Sequence, residues 1–587
     1  MLVYGDAPQT VSPRARLTEI ADKLGKADNW PDGLAGHSLL VEIFLDAAEI
    51  GQALIDAEFA AAGQDASSPT SSAVTALLLR LAEAVRQSWT RGFTRPRIET
   101  EAALKTLLAV PLPETVTVKL AEGYAFYALY PESYLEAAGQ LGIDHDTQVI
   151  GIRSIGLGLA ALVAVAAESK DVRSVRPVGH PFRRELALDG NMRQQLLVNH
   201  DDRQVAVVDE GPGLSGSSFG AVVDFLTDNG IPENSIHLFP SHSGEPGHEA
   251  EPRQRDRWRR LTKHVVSFEP LFLDTPQPER RLENWFTDVV GPARDPLTDL
   301  SGGHWRQLVY AHERDWPPAN MHQERRKYLL RTDSGPVLLK FAGIGRSGRA
   351  AFERATVLAD AGFSPPAIGF RHGFLAQRWF ADARPVANPS DWEKTWFTAS
   401  YLSFRAQHFS ADKASGASLD QLAEMLRHNA REGLGPAFGP QLEAFAEATI
   451  GQVQNLRRVA TDNRMHLWEW LRTGDGCLLK TDAVDHCAAH DLIGSQDIAW
   501  DVIGAGIELS LTPEQQDELI GRVETTTGAL MDRALLRLYE PCYLAFQLGS
   551  YSMAAAAMSW SPEEVARLSA RADWYGDQLS RWMETNL

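Results

Sequence analysis

Apolar residues recur at helical spacing through the first part of the chain. Leu17, Ile20, Ala21 and Leu24 fall on one face, as do Leu40, Ile43, Phe44 and Ala47. This spacing predicts amphipathic helices from residue 14 to about 95. The polar stretch DASSPTSS, residues 65 to 72, interrupts them. It ends in cap-type residues and opens a further helix with Leu77, Leu78, Leu81 and Val85 on one side. From about residue 115, short apolar runs alternate with helical ones. TVTVKLA, TQVIGI, VRSVRPVG, QVAVVDE and SIHLFPSH read as strands. YPESYLEAAGQLG, LAALVAVAAESK and SFGAVVDFLTDNG read as helices, the first stopping at Gly142 and the last at Gly230. Such alternation predicts a doubly wound parallel sheet.

The pattern then breaks. Residues 242 to 257 are polar and rich in turn formers. Pro276, Pro278, Pro292, Pro296 and the Gly302-Gly303 pair mark a linker, placed at 271 to 300. Beyond it, KYLLRT and PVLLKF read as a hairpin and SGRAAFERATVLADAG as a helix. From residue 391 onward the chain is mostly helical. The expected organisation is a helical region at 1 to 115, an α/β unit at 116 to 270, the linker, and an α+β unit at 301 to 587.

Composition narrows the class. A chain of 587 residues suggests roughly three or four domain-sized units. Hydrophobic residues make up 44% and charged residues 23%, an ordinary globular balance. The longest uncharged apolar run, residues 155 to 167, is shorter than the roughly 20 residues that span a bilayer. The sequence MLVYGDAPQT lacks the basic start and apolar core of a signal peptide. Cys477, Cys487 and Cys542 are a poor disulfide framework, which suits a cytoplasmic protein. A net charge of -20 argues against nucleic acid and anionic membranes as partners, but not against small phosphorylated ligands. Assembly into an oligomer is left open.

The clearest chemistry lies at 205 to 219. Four apolar residues are followed by Asp209 and Glu210, then by GPGLSGSS, then by a helix. Strand ends in such sheets open onto the ligand crevice. Glycines let the backbone approach an anion, and a helix N-terminus adds N–H groups and about half a positive charge. The two carboxylates would repel phosphate but would accept hydrogen bonds from sugar hydroxyls. This order resembles the type I phosphoribosyltransferases, over about residues 120 to 270. The resemblance implies that Asp209 and Glu210 hold the ribose hydroxyls at the catalytic centre. It also implies that Gly213, Leu214, Ser215, Gly216, Ser217 and Ser218 hold the 5-phosphate. Arg153 and Ser154 in IGIRSIGLGLA would sit in a pyrophosphate loop, and Arg183 and Arg184 in PVGHPFRREL on a mobile hood. The substrate would be phosphoribosyl diphosphate with Mg2+. Gly211-Pro212 replaces the two apolar residues usual after the acids, and the loop is one residue longer than the family's.

A second set lies downstream. Lys340 ends a strand and Glu353 follows thirteen residues later in a helix. FLAQRWF, RMHLWEWL, LLKTDAVDH and SQDIAWDVIGA follow in order. This resembles the aminoglycoside phosphotransferase and choline kinase group, over about residues 301 to 587, and implies a bilobal protein-kinase-like fold. Lys340 and Glu353 would pair to hold ATP phosphates, with Gln377 and Trp379 at the hinge. Asp482, with Glu469, would hold Mg2+, and Asp501 matches a structural aspartate. The pattern departs at the catalytic loop, where Arg464 stands in the place of the catalytic aspartate and Asp462 lies two residues early. DHCAAHD, residues 485 to 491, reads as a polar segment beside Asp482 rather than as a zinc site, and Trp468 and Trp470 read as core anchors. Together the two sets predict a two-site enzyme that joins phosphoribosyl transfer, or its reverse, to a phosphotransferase-like half. The alternative is a sensor of nucleotides or phosphoribosyl compounds without turnover.

Overall fold

The computed structural model describes residues 1 to 2, 8 to 139, 143 to 198, 203 to 488 and 493 to 587. Gly142, expected to stop a helix, lies outside them, as do His490 and Asp491. The helix before Gly142 is Pro131–Gly139.

Five parallel strands form the first sheet. In spatial order they are Val172–Val175, Gln148–Ile152, Val205–Val208, Ile236–Phe239 and Thr262–Lys263. In chain order this is 2-1-3-4-5, so the connections reverse between the strands at 148 and 205. The central strands Gln148–Ile152 and Val205–Val208 are buried throughout because both faces are covered, whereas Val172–Val175 at the edge is half-buried at Arg173 and Ser174. Val205 and Val207 pack with Phe219, Val222 and Trp258 on one face. Ala206 and Val208 belong to the opposite core, with Phe44, Leu78 and Leu162.

That second face shows what residues 1 to 115 do. Helices Pro13–Leu24, Leu34–Ala62, Pro69–Thr90 and Glu101–Ala109 are not a separate unit but a layer on the sheet. Ser68 caps Pro69–Thr90 and forms a capping box with Ser71, as the polar stretch predicted. Two strand expectations change. TVTVKLA contributes Val116–Val118, which pairs antiparallel with Gln9–Val11 and stays out of the parallel sheet. VRSVRPVG divides into the sheet strand Val172–Val175 and an arm of a hairpin, Pro177–His180 with Arg183–Leu186. Pro177 lacks the N–H a sheet interior requires, so the chain leaves the sheet there.

The second half has two lobes. The small lobe is an antiparallel sheet ordered Thr298–Asp299, Lys327–Thr332, Gly335–Phe341, Phe374–Arg378 and Ala367–Arg371, with helix Arg346–Asp360. The large lobe is mainly helical and includes Ala499–Glu508, Arg533–Ala557 and Pro562–Asn586. The stretch at 271 to 300 is not a linker. Phe272, Leu282, Trp285 and Phe286 are buried in one core with Tyr130, Leu339 and Phe374. Its prolines shape short turns on a packed surface. No helix among the described residues is long and apolar enough to cross a membrane.

Candidate functional site

The acid pair sits where the strand connections reverse. Asp209 and Glu210 follow the strand Val205–Val208, beside the turn after Gln148–Ile152. Gly156 opens the helix from that turn. A Cβ there would lie 2.4 Å from the Val208 carbonyl oxygen, so only glycine permits the approach. Ser154 Oγ donates to Asp209 Oδ1, and the Tyr134 hydroxyl donates to the Asp209 carbonyl at 2.9 Å. Asp209 is buried. Burial raises its carboxyl to about 6, although the Ser154 bond and the Arg184 charge pull it down. Burial, then the charges of Asp209 and Glu122, raise Glu210 to about 8. Asp209 and Glu210 form no ion pair within 4 Å among the described residues.

The loop beyond them turns sharply. Gly213 and Gly216 take left-handed φ of 56° and 68°, and Gly216 caps the helix Ser217–Asp228. The helix N-terminus therefore follows directly on the loop. Ser217 Oγ donates to the Pro181 carbonyl at 2.8 Å and Ser215 Oγ to Ser217 Oγ at 2.9 Å. Both hydroxyls thus tie the loop to the hairpin. Gly213 and Leu214 are exposed and Ser218 is half-buried.

The basic residues divide into two kinds. Arg153 faces away from the crevice. Its side chain is fully buried, donates to Asp56 at 2.7 Å and to Asp65, and reaches the Ser174 carbonyl at 3.2 Å. It cannot meet a diphosphate while two carboxylates of the helical layer hold it. Arg183 points outward and pairs with Glu251 at 2.6 Å. Arg184 donates to the Pro177 carbonyl at 3.0 Å, and its charge reaches Asp209. Asp56 and Asp65 had no signal in the sequence, because a helical stretch carries no mark of what it packs against.

A cavity of about 210 Å³ separates the lobes of the second half. Lys340, Gln377, Trp379, Glu469, Asp482 and Arg464 line it, as do Phe126 and Tyr127 from the first half. Lys340 binds Asp482 and, at 3.1 Å, Asp485. Arg325 lies 3.3 Å from Asp485, and Lys327 3.8 Å from Asp482. Burial opposes ionisation of Asp482, but the Lys340 and Lys327 charges outweigh it and hold the carboxyl well below its usual range. The same balance, through Lys340 and Arg325, lowers Asp485 to about 2. Asp482 also takes a left-handed φ of 53°, a conformation a non-glycine residue adopts only where its surroundings enforce it.

Glu353 does not pair with Lys340. Helix Arg346–Asp360 buries Ala351, Ala355 and Leu358, and Glu353 points off that face into solvent. Asp485 takes the expected place beside the lysine. Glu469 is buried and held by Lys480 at 3.3 Å and Arg464 at 3.9 Å, not grouped with Asp482. Asp485 and His486 are grouped there instead, with ligand atoms within 4.8 Å of one another. Two carboxylates suit Mg2+, which favours oxygen donors and shares them with phosphates. Asp462 is fully buried against Lys480 at 3.3 Å and the Tyr401 hydroxyl. Asp501 accepts from the N–H groups of Asp462 and Asn463 at 2.7 and 2.9 Å, pinning that loop.

No protein-family model and no curated protein matches this chain. Solved structures do align with it. One is choline kinase LicA from Streptococcus pneumoniae, at 13% identity over 43% of this chain and 89% of that one, with a TM-score of 0.30. A choline/ethanolamine kinase family protein from Mesorhizobium loti aligns at 16% identity over 44% and 86%, with a TM-score of 0.32. A thermostable mutant of aminoglycoside phosphotransferase APH(4)-Ia aligns at 12% identity over 51% and 99%, with a TM-score of 0.30. At these scores the side chains themselves must carry any functional conclusion.

One segment borders both sites. A Cβ on Gly123 would lie 2.7 Å from Glu210 Oε1. The next carbonyl, of Tyr124, accepts from the Ile344 N–H at 2.9 Å. The Ala125 carbonyl accepts from Arg325 at 3.0 Å, and Phe126 and Tyr127 follow into the cavity.

Proposed function

We propose a two-site enzyme of phosphorylated small molecules. The first site transfers a phosphoribosyl group, or runs the reverse reaction, and the second binds ATP. One observation carries the first assignment: a buried Asp209 and a half-buried Glu210 with no ion pair within 4 Å among the described residues, beside a glycine loop and a helix N-terminus at the strand reversal. Buried carboxylates with raised pKa values mark sites where a ligand supplies the missing donors. Ribose 2- and 3-hydroxyls supply them to Asp209 and Glu210. The Gly216 and Ser217 N–H groups already donate to the Pro212 carbonyl and to Ser215 Oγ, so the other backbone N–H groups at 213 to 218 and the helix end would meet the 5-phosphate. In the forward direction the bond from the anomeric carbon to diphosphate breaks and a bond to the acceptor forms. Mg2+, when bound, offsets the diphosphate charge. The chain's own residues orient the sugar and keep charge in place. A ribosyl-transfer assay with phosphoribosyl diphosphate across candidate acceptors tests this, with Asp209→Asn as control. Turnover unchanged in that variant sinks the site.

A second reading applies to the cleft alone: it binds nucleotide without transferring phosphate. Arg464 in the place of the base favours it, as does Asp462, which Lys480 and Tyr401 hold inside the protein. Lys340 would bind the phosphates, and Asp482 with Asp485 would hold Mg2+. Calorimetric titration with ATP–Mg2+, paired with a phosphotransfer assay, separates binding from turnover.

A further inference from the structure

A group outside both sites joins three distant stretches of chain. His37 lies in helix Leu34–Ala62, Glu132 begins helix Pro131–Gly139, and His372 occupies the turn between strands Ala367–Arg371 and Phe374–Arg378. All three side chains are 0% exposed. We propose that His37, Glu132 and His372 bind a divalent transition-metal ion of the zinc class.

Their ligand atoms lie within 4.8 Å of one another. His37 Nε2 shares a hydrogen bond with Glu132 Oε1 at 2.8 Å, which a bound ion would replace. His372 Nε2 is 3.0 Å from the same oxygen, yet it makes no aligned hydrogen bond. A ring nitrogen close to a carboxylate but out of line with it suits two ligands of one ion better than a donor and its acceptor. Glu132 Oε2 is buried without a partner as well. A bidentate Glu132 and the two Nε2 atoms give four donors, the number zinc prefers. Two imidazoles exclude Mg2+ and Ca2+ as the natural occupant. Ser88 Oγ lies 2.9 Å from His37 Nδ1 and orients the ring, as outer partners of metal-bound histidines do. Trp89, Phe93, Tyr130, Phe272 and Trp285 surround the group, so its role is structural. The ion would fasten the helical layer, the parallel-sheet half and the small lobe at one point.

The test uses the full chain. Protein purified without added chelator is expected to hold about one zinc through dialysis. Protein unfolded with chelator and refolded with Co2+ is expected to show the visible bands of a four-coordinate ion. Refolded without metal, it is expected to melt at least about 5 °C lower. Glu132→Gln is expected to lose the ion, whereas Asp485→Asn, in the cleft, keeps it. Wild-type protein that carries no metal and takes none up on refolding overturns the proposal. So does loss of the ion from Asp485→Asn together with its retention in Glu132→Gln. The wild-type arms decide the matter even where Glu132→Gln does not fold.

Discussion

The two candidate sites treat buried carboxylates in opposite ways. At the end of the parallel sheet, Asp209 and Glu210 stand side by side without an ion-pair partner among the described residues, raised to about 6 and 8. Asp482 and Asp485 in the cleft, and Asp462 buried beside it, each meet a lysine, and their pKa values fall. Under the proposed function, the first site would take its missing donors from the ligand. The second carries its own countercharge, and an incoming phosphate would compete with Asp482 and Asp485 for Lys340. The first arrangement is unstable alone and suited to binding. The second is stable alone and gains less from a ligand.

The sharpest way to break this contrast is to remove a countercharge. Lys480 is fully buried between Asp462 and Glu469. Lys480→Met is expected to destabilise the protein by about 3–5 kcal/mol in denaturant unfolding, because two buried charges lose their partner. The acid pair predicts the reverse sign. Glu210→Gln is expected to stabilise the unliganded protein by about 2 kcal/mol at pH 8 while weakening phosphoribosyl diphosphate binding at least tenfold. Calorimetry and thermal melts read both changes.

The pH profile follows from the same shifts. Raised carboxyl pKa values mean that the folded state holds more protons than the unfolded one. Stability from Asp209 and Glu210 is thus lost as pH rises from about 4 to about 8. For Asp485 the folded value is depressed. Its contribution is present above the usual carboxylate range and lost as pH falls through about 2. Melts of wild type and Glu210→Gln between pH 5 and 8 isolate the first limb, since the variant lacks its largest part. Smaller effects sharpen the cleft. Lys340→Met is expected to weaken ATP–Mg2+ about tenfold with little change at the ribosyl site. Glu353→Gln is expected to stay within about 0.5 kcal/mol of wild type in both stability and binding, being exposed.

Much of this arrangement was legible along the chain. The apolar runs at 148 and 205 marked the central parallel strands, because a sheet covered on both faces keeps them buried throughout, and mixed runs at 172 and 236 marked their neighbours. Asp209, Glu210 and the loop after them were legible for the same reason: strand, acids, glycines and helix are contiguous. Lys340 and Asp482 were legible as separate marks, but their partners were not. Glu353 has the right spacing from Lys340 and the wrong helix face, and spacing alone does not fix that face. Arg153 sits in a turn that suits an anion, yet Asp56 and Asp65, almost a hundred residues earlier, hold it. The stretch at 271 to 300 has linker composition and a buried Phe272–Trp285 contact. Long-range packing decided each of these cases, and it leaves no local pattern.

The segment at 123 to 127 touches the Glu210 carboxylate at one end and the cleft at the other. Its consequence is thermodynamic. Under the proposed function, a ligand that moved Gly123 would also move the Phe126–Tyr127 wall of the cleft, and each site would become an instrument for reading the other. Whatever factor one ligand imposes on its neighbour's affinity, the neighbour returns in equal measure. Binding constants determined with one cleft empty would then describe a different protein from the one that holds both ligands.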